Sequence, residues 1–158
     1  MTIRGLMGGA IVVLSMSGYA ETPFLPPPSD TDLHAAYCVG TEEQEAAYES
    51  AAVTTTHNPV TIDFHRRTAA AAQARLQRLH HYLDRRLAFV EMMDIDAATK
   101  RGSTDAKFLA TDPKVYACTN KCRHLPPDVG VTAVKQCMAP CDERLTQIWS
   151  CKDLSWLP

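Results

Sequence analysis

Aromatic residues are scarce, at 7% of 158 residues, and so is any excess of charge: 16 lysines and arginines stand against 18 aspartates and glutamates, a formal net charge of -2. A near-neutral chain generates no strong overall field for nucleic acid or for an anionic membrane surface. Beyond residue 20 no apolar run approaches the roughly 20 residues that a membrane-spanning helix needs. The chain holds no G-x-S-x-G, no H-E-x-x-H, no phosphate-binding loop and no dinucleotide-binding glycine fingerprint. It also lacks an alternating strand pattern, an internal repeat and any low-complexity tract other than one proline stretch. What it does hold, 46% hydrophobic residues and six cysteines, describes one globular domain.

The first twenty residues read as a secretory signal peptide: Arg4, an apolar stretch from Leu6 to Met16, and the small-residue ending Gly18-Tyr19-Ala20. Cleavage after Ala20 leaves residues 21–158, enough to bury about two thirds of the unfolded surface around one core. All six cysteines, Cys38, Cys118, Cys122, Cys137, Cys141 and Cys151, lie beyond that point. Export to the periplasm or outside the cell delivers them to an oxidising space where thiols pair, and an even count suits three disulfides.

Residues 21–30 carry Pro23, Pro26, Pro27 and Pro28 and are expected to form an extended, exposed arm before a single helical domain over residues 31–158. Ser29, Asp30, Thr31 and Asp32 supply N-cap oxygens for a first helix over residues 31–54, with Gly40-Thr41 as a possible break. Asn58-Pro59 signals a reversal. From Thr61 no proline or glycine occurs before Gly102, and Leu76, Leu79, Leu83, Leu87 and Val90 form a stripe at helical spacing. This predicts one helix ending at Gly102, on the order of 50 to 60 Å long, as the backbone of the fold. A short helix is expected over residues 103–110, and Asp112-Pro113 opens the next. The loop around Pro126-Pro127 turns the chain, Asp128 offers a cap, and Pro140 kinks or restarts the following element. A last segment runs from Asp142 to Cys151.

Charge is segregated between the first two helices. Residues 21–62 contain seven acidic residues and no lysine or arginine, whereas residues 63–86 contain six arginines against Asp63 and Asp84. This favours antiparallel packing of the two, each exposed pair contributing a few tenths of a kcal/mol. A nucleic-acid role for Arg66, Arg67, Arg75, Arg78, Arg85 and Arg86 lacks the interleaved aromatic platform that strand binding uses.

The most specific pattern is Cys118-x3-Cys122, fourteen residues, Cys137-x3-Cys141. Residues four apart share a helix face. On two antiparallel helices the inner cysteines meet as Cys122 with Cys137 and the outer as Cys118 with Cys141, leaving Cys38 with Cys151. Six cysteines allow fifteen connectivities, of which this is the expected one. A loop the size of Cys122–Cys137 is worth about 3 kcal/mol and one of more than a hundred residues about 5. The twin C-x3-C spacing resembles the helical hairpin of the small Tim chaperones of the mitochondrial intermembrane space. That likeness covers residues 118–141, concerns geometry, and carries no chaperone residue onto this chain. Leu33-His34-Ala35-Ala36-Tyr37-Cys38-Val39-Gly40 together with the ending Cys151-Lys152-Asp153-Leu154-Ser155-Trp156-Leu157-Pro158 resembles small exported helical proteins of proteobacteria. The resemblance implies an exported helical protein and brings no mechanism.

Other chemistries for these residues fit less well. A soft Cu(I) site would use the four hairpin cysteines with Met138, His124, Met92 and Met93. A thiol oxidoreductase would need C-x-x-C in a βαβ framework, and covalent haem would need C-x-x-C-H where this chain has C-x3-C-x-His124. His80 and His81 point about 100° apart on a helix, and His80 with Asp84 forms a local surface pair more readily than a catalytic dyad. Asp94, Asp96 and Asp105 faintly follow a calcium-loop spacing, with Ala98 and Thr99 at positions that need a ligand and a glycine. Trp149 and Trp156 either cap a groove between the first two helices or anchor a partner.

The sequence therefore predicts a mainly α, long-helix-centred bundle with a disulfide-stapled C-terminal helical hairpin. The expected function is a non-enzymatic, cofactor-free interaction module of the cell envelope, an adaptor or inhibitor that binds another envelope or secreted protein. The alternative is a copper-binding protein using the C-x3-C pairs.

Overall fold

The computed structural model describes residues 25–123 and 130–158. Residues 1–24, with the expected signal peptide and the first part of the expected arm, and residues 124–129, with His124 and the expected cap Asp128, lie outside the described residues. Six α-helices and no strand occur among the described residues: α1 Asp30–Thr55, α2 Pro59–Leu87, α3 Met92–Thr111, α4 Pro113–Arg123, α5 Gly130–Met138 and α6 Arg144–Ser150. Short 3-10 turns follow at Ala139–Cys141, where Pro140 sits, and at Leu154–Trp156.

Local chemistry sets the starts of three helices, α1, α2 and α4. Ser29 and Asp32 form a reciprocal capping box: the Asp32 N–H donates to Ser29 Oγ at 3.2 Å, and the Ser29 N–H to Asp32 Oδ2 at 2.9 Å. The Asn58 side chain accepts from the Val60 and Thr61 amides, with Pro59 at the start of α2. Asp112 accepts from the Lys114 and Val115 amides at 2.8 and 3.0 Å and starts α4. The arm is only partly the exposed segment expected. Leu25 to Pro27 are exposed, but Pro28 is buried and the Pro26 carbonyl accepts from the Glu91 N–H.

The long helix expected to run to Gly102 stops at Leu87. Residues 88–91 form a turn, and α3 folds back along α1. Neither proline nor glycine marks the break; burial does. The turn brings Val90 and Ile95 into the same core as Leu79 and Leu83, which a straight helix would have carried past the end of α1. At about 43 Å, α2 is still the longest helix, but the central one is α1. From Ala35 to Glu42 every residue of α1 is buried, because α2, α3 and the C-terminal segment surround it.

Gly102 is not a helix stop but lies inside α3, and Gly40 does not break α1. The two glycines let the helix backbones touch. A Cβ at Gly40 would fall 1.9 Å from the Thr99 carbonyl oxygen, and one at Gly102 would fall 2.0 Å from the Tyr37 carbonyl oxygen. Residues 103–110, read as a separate short helix, continue α3.

The cysteines pair as Cys38–Cys151, Cys118–Cys141 and Cys122–Cys137, with Cα separations of 5.2, 5.7 and 5.8 Å. The last two staple α4 to α5 and the turn after it. Around them lies a second core of Val115, Cys122, Met138 and Leu145, separate from the first core of α1, α2 and α3. Cys38–Cys151 then ties the C-terminal segment to α1, where Leu154 is buried and Trp156 and Leu157 pack on the first core. Three disulfides require an oxidising environment to form, and no described helix is long and apolar enough to cross a membrane.

Candidate functional site

A groove of about 580 Å³ separates the two cores. One wall is a single face of α1, presenting Thr41, Gln44, Glu45, Tyr48 and Glu49 at helical spacing. The floor is apolar: Ala106, Leu109 and Ala110 of α3 continue into Val115, Val134, Met138 and Leu145, the open side of the second core. Small residues on α3 keep that floor low. At the rim stand Tyr48, 58% exposed, and Phe64, 56% exposed, with Trp149 of α6 across from them. The site is thus mostly apolar with a few polar groups, in the size range of sites that hold a small molecule or the side chains of a bound segment.

One end of the groove is ionic. Glu42 is fully buried and accepts from Arg75 Nη2 at 2.8 Å and from Lys152 Nζ at 3.0 Å. Glu45, on the groove side, accepts from Arg75 at 3.2 Å and also from Lys152. Burial pulls the Lys152 ammonium below the usual lysine range, and the Glu42 carboxylate opposes that shift. Arg75 Nε is buried without a hydrogen-bond partner, the one such side-chain atom among the described residues. A smaller cavity of about 420 Å³ opens beside this cluster, lined by Arg67, Arg75, Lys152, Phe64 and Trp149, and Glu45 borders both cavities. Glu49 pairs with His65 near the far rim.

The acidic first helix and arginine-rich second helix do pair antiparallel, through Asp32 with Arg86, Glu42 with Arg75 and Glu49 with His65. These are not the exposed pairs expected, since Asp32 and Glu42 are fully buried. Burial would raise the Asp32 carboxyl, but hydrogen bonds from Arg86, Ser29 and Tyr82 outweigh it and hold its pKa well below the carboxylate range. Of the remaining arginines, Arg78 reaches the Leu154 carbonyl and Arg67 pairs with Asp63.

The other residues singled out in the sequence scatter. Cys118, Cys122, Cys137 and Cys141 are all disulfide-bonded, so they offer no thiolate to copper, and Met92 and Met93 lie exposed at the start of α3 while Met138 is buried in the second core. Among the described residues no three histidine, cysteine or carboxylate groups converge to hold a metal ion. His80, His81 and Asp84 are exposed on the outer face of α2 and line neither cavity. Asp94, Asp96 and Asp105 lie within helix α3, whose backbone cannot wrap a cation as a calcium loop does. Asp105 instead accepts from the Tyr37 hydroxyl at 3.2 Å and pairs with Arg144.

Trp149 and Trp156 have different surroundings. Trp156 packs on the first core, donates its indole N–H to the Ser150 carbonyl at 3.1 Å and lies 4.5 Å from the His34 ring, so its contacts are within the chain. Trp149 lines both cavities. His34 Nε2 and Ser150 Oγ, unremarked in the sequence, lie 3.0 Å apart. The Ser150 hydroxyl also lies within hydrogen-bond distance of the Gln147 carbonyl. The His34–Ser150 pair fastens the C-terminal segment to α1. No protein-family model, curated protein or solved structure matches the chain.

Proposed function

We propose that this protein is a non-enzymatic, exported interaction module of the cell envelope, and that the groove between its two cores holds a segment of another envelope or secreted protein. The observation that carries this reading is the exposed aromatic rim of Tyr48 and Phe64 beside Trp149 over an apolar floor. Large aromatic side chains left in water beside a preformed groove are the usual anchors of a binding surface. The disulfides support the same reading, because a stapled frame presents the groove with little ordering cost on binding.

Crosslinking in the envelope, followed by purification of the tagged protein, tests the proposal. The expected result is one defined partner that is retained by the wild-type protein and lost from a Tyr48→Ser/Phe64→Ser variant of unchanged thermal stability. Partner recovery that ignores these substitutions would exclude the groove as the binding surface. A specific turnover, surviving extensive purification and abolished by one point substitution, would exclude a non-enzymatic role.

A further inference from the structure

Arg75 and Lys152 are held from two sides by carboxylates of unlike character. Glu42 fixes both cations from the core and is fully buried, whereas Glu45 meets them from the groove and is 24% exposed. Without Glu45 the cluster would be two cations against one carboxylate, a positively charged seat where the apolar groove meets the smaller cavity, Lys152 lining both and Arg75 the smaller one. We infer that Glu45 holds the seat of an incoming carboxylate: the groove receives an apolar C-terminal segment of the partner, whose terminal carboxylate replaces Glu45 on Arg75 and Lys152. The inference rests on the groove being the partner-binding surface.

Three further features fit that occupant. Both carboxylates use the same Arg75 nitrogen, Nη2, and the neighbouring Nε has no acceptor, so half of the guanidinium fork is unused. A carboxylate taken up by an arginine fork binds through two parallel hydrogen bonds and satisfies such a donor. Arg67 lines the smaller cavity with its side chain 73% exposed, restrained by a surface pair to Asp63 that is cheap to break. Along the α1 wall Gln44 and Tyr48 place polar groups beside the groove. They suit the amides of a peptide, whereas an alkyl chain would leave them against hydrocarbon.

The test uses the oxidised protein and two pools of acetylated hexapeptides whose last four positions are drawn from Ala, Val, Leu, Ile and Phe, one pool with a free C-terminal carboxylate and one amidated. Titration is followed by the amide and indole signals of Trp149 and Lys152. The free-acid pool is expected to bind at least about tenfold more tightly than the amide pool. Glu45→Gln should tighten the acid pool several-fold without changing the amide pool, and Lys152→Met should bring the acid pool down to the amide's level. A Lys152→Arg variant that keeps the acid preference separates lost charge from lost fold. Equal binding of acid and amide overturns the carboxylate seat and leaves the groove reading standing. No binding of either pool, in a protein that still captures its partner through Tyr48 and Phe64, overturns it as well. Dodecanoate binding more tightly than the acid pool would assign the seat to a small amphiphile and overturn the peptide inference.

Discussion

Gly102 of α3 lies against Tyr37 of α1 so closely that a single added carbon would sit 2.0 Å from the Tyr37 carbonyl oxygen. Gly40 repeats the relationship against Thr99 one turn further along α1. Backbone, not side chain, forms this contact, and neither neighbour can rotate away.

Gly102→Ala is therefore expected to destabilise by about 2 to 3 kcal/mol or more, the cost of forcing packed elements apart. Helix propensity alone predicts the opposite sign, a gain of about 1 kcal/mol for alanine inside a helix. Denaturant unfolding of the oxidised protein reads the sign directly. A stabilised Gly102→Ala variant would show that α1 and α3 do not meet at these backbones.

Asp32 links stability to acid. Its folded-state pKa lies below the ordinary 3.8, so its contribution is fully present above the carboxylate range and is lost as pH falls through it toward the folded value. Asp142, held by Arg144, and Asp153, held by the Ser155 amide, act in the same direction. Thermal midpoints should fall as pH drops below about 4. Asp32→Asn should cost about 2 kcal/mol at neutral pH through its weakened hydrogen bonds to Arg86 and Tyr82 and should flatten, without abolishing, the acid dependence. An unchanged pH profile in that variant would contradict the assignment.

The three bridges differ in exposure and in loop size. Cys38 and Cys151 are fully buried, whereas Cys118 and Cys141 are partly exposed. Mild reductant under native conditions, followed by alkylation and mass mapping, should label Cys118 and Cys141 first and Cys38 and Cys151 only on unfolding. Removing Cys38–Cys151, which spans 113 residues, should cost about 5 kcal/mol, against about 3 for Cys122–Cys137 with a separation of 15. Early labelling of Cys38 would mean that the C-terminal segment is not packed on α1.

Features with local causes were legible in the sequence. Ser29, Asn58-Pro59 and Asp112-Pro113 each carry their own capping chemistry, and C-x3-C spacing on two helices leaves few ways for the cysteines to meet. The charge segregation announced the pairing of α1 with α2, although not that Asp32 and Glu42 would be buried. What was hidden depends on residues distant in sequence. The turn at residues 88–91 carries no breaker and follows from burying Val90. Gly102 has the look of a stop until its contact with Tyr37 is known. Glu42 and Glu45 share a helix face, but their partner Lys152 lies more than a hundred residues away, and the groove is a space between two cores that no local pattern encodes.

Placing a photo-crosslinking benzoylphenylalanine at Phe64, on the groove rim, and separately at His80, on the exposed outer face of α2, decides between the groove and the opposite surface. Illumination in the living envelope is expected to join one defined protein to the Phe64 position and not to the His80 position. Equal crosslinking from both positions, or from His80 alone, would contradict the groove as the interaction surface.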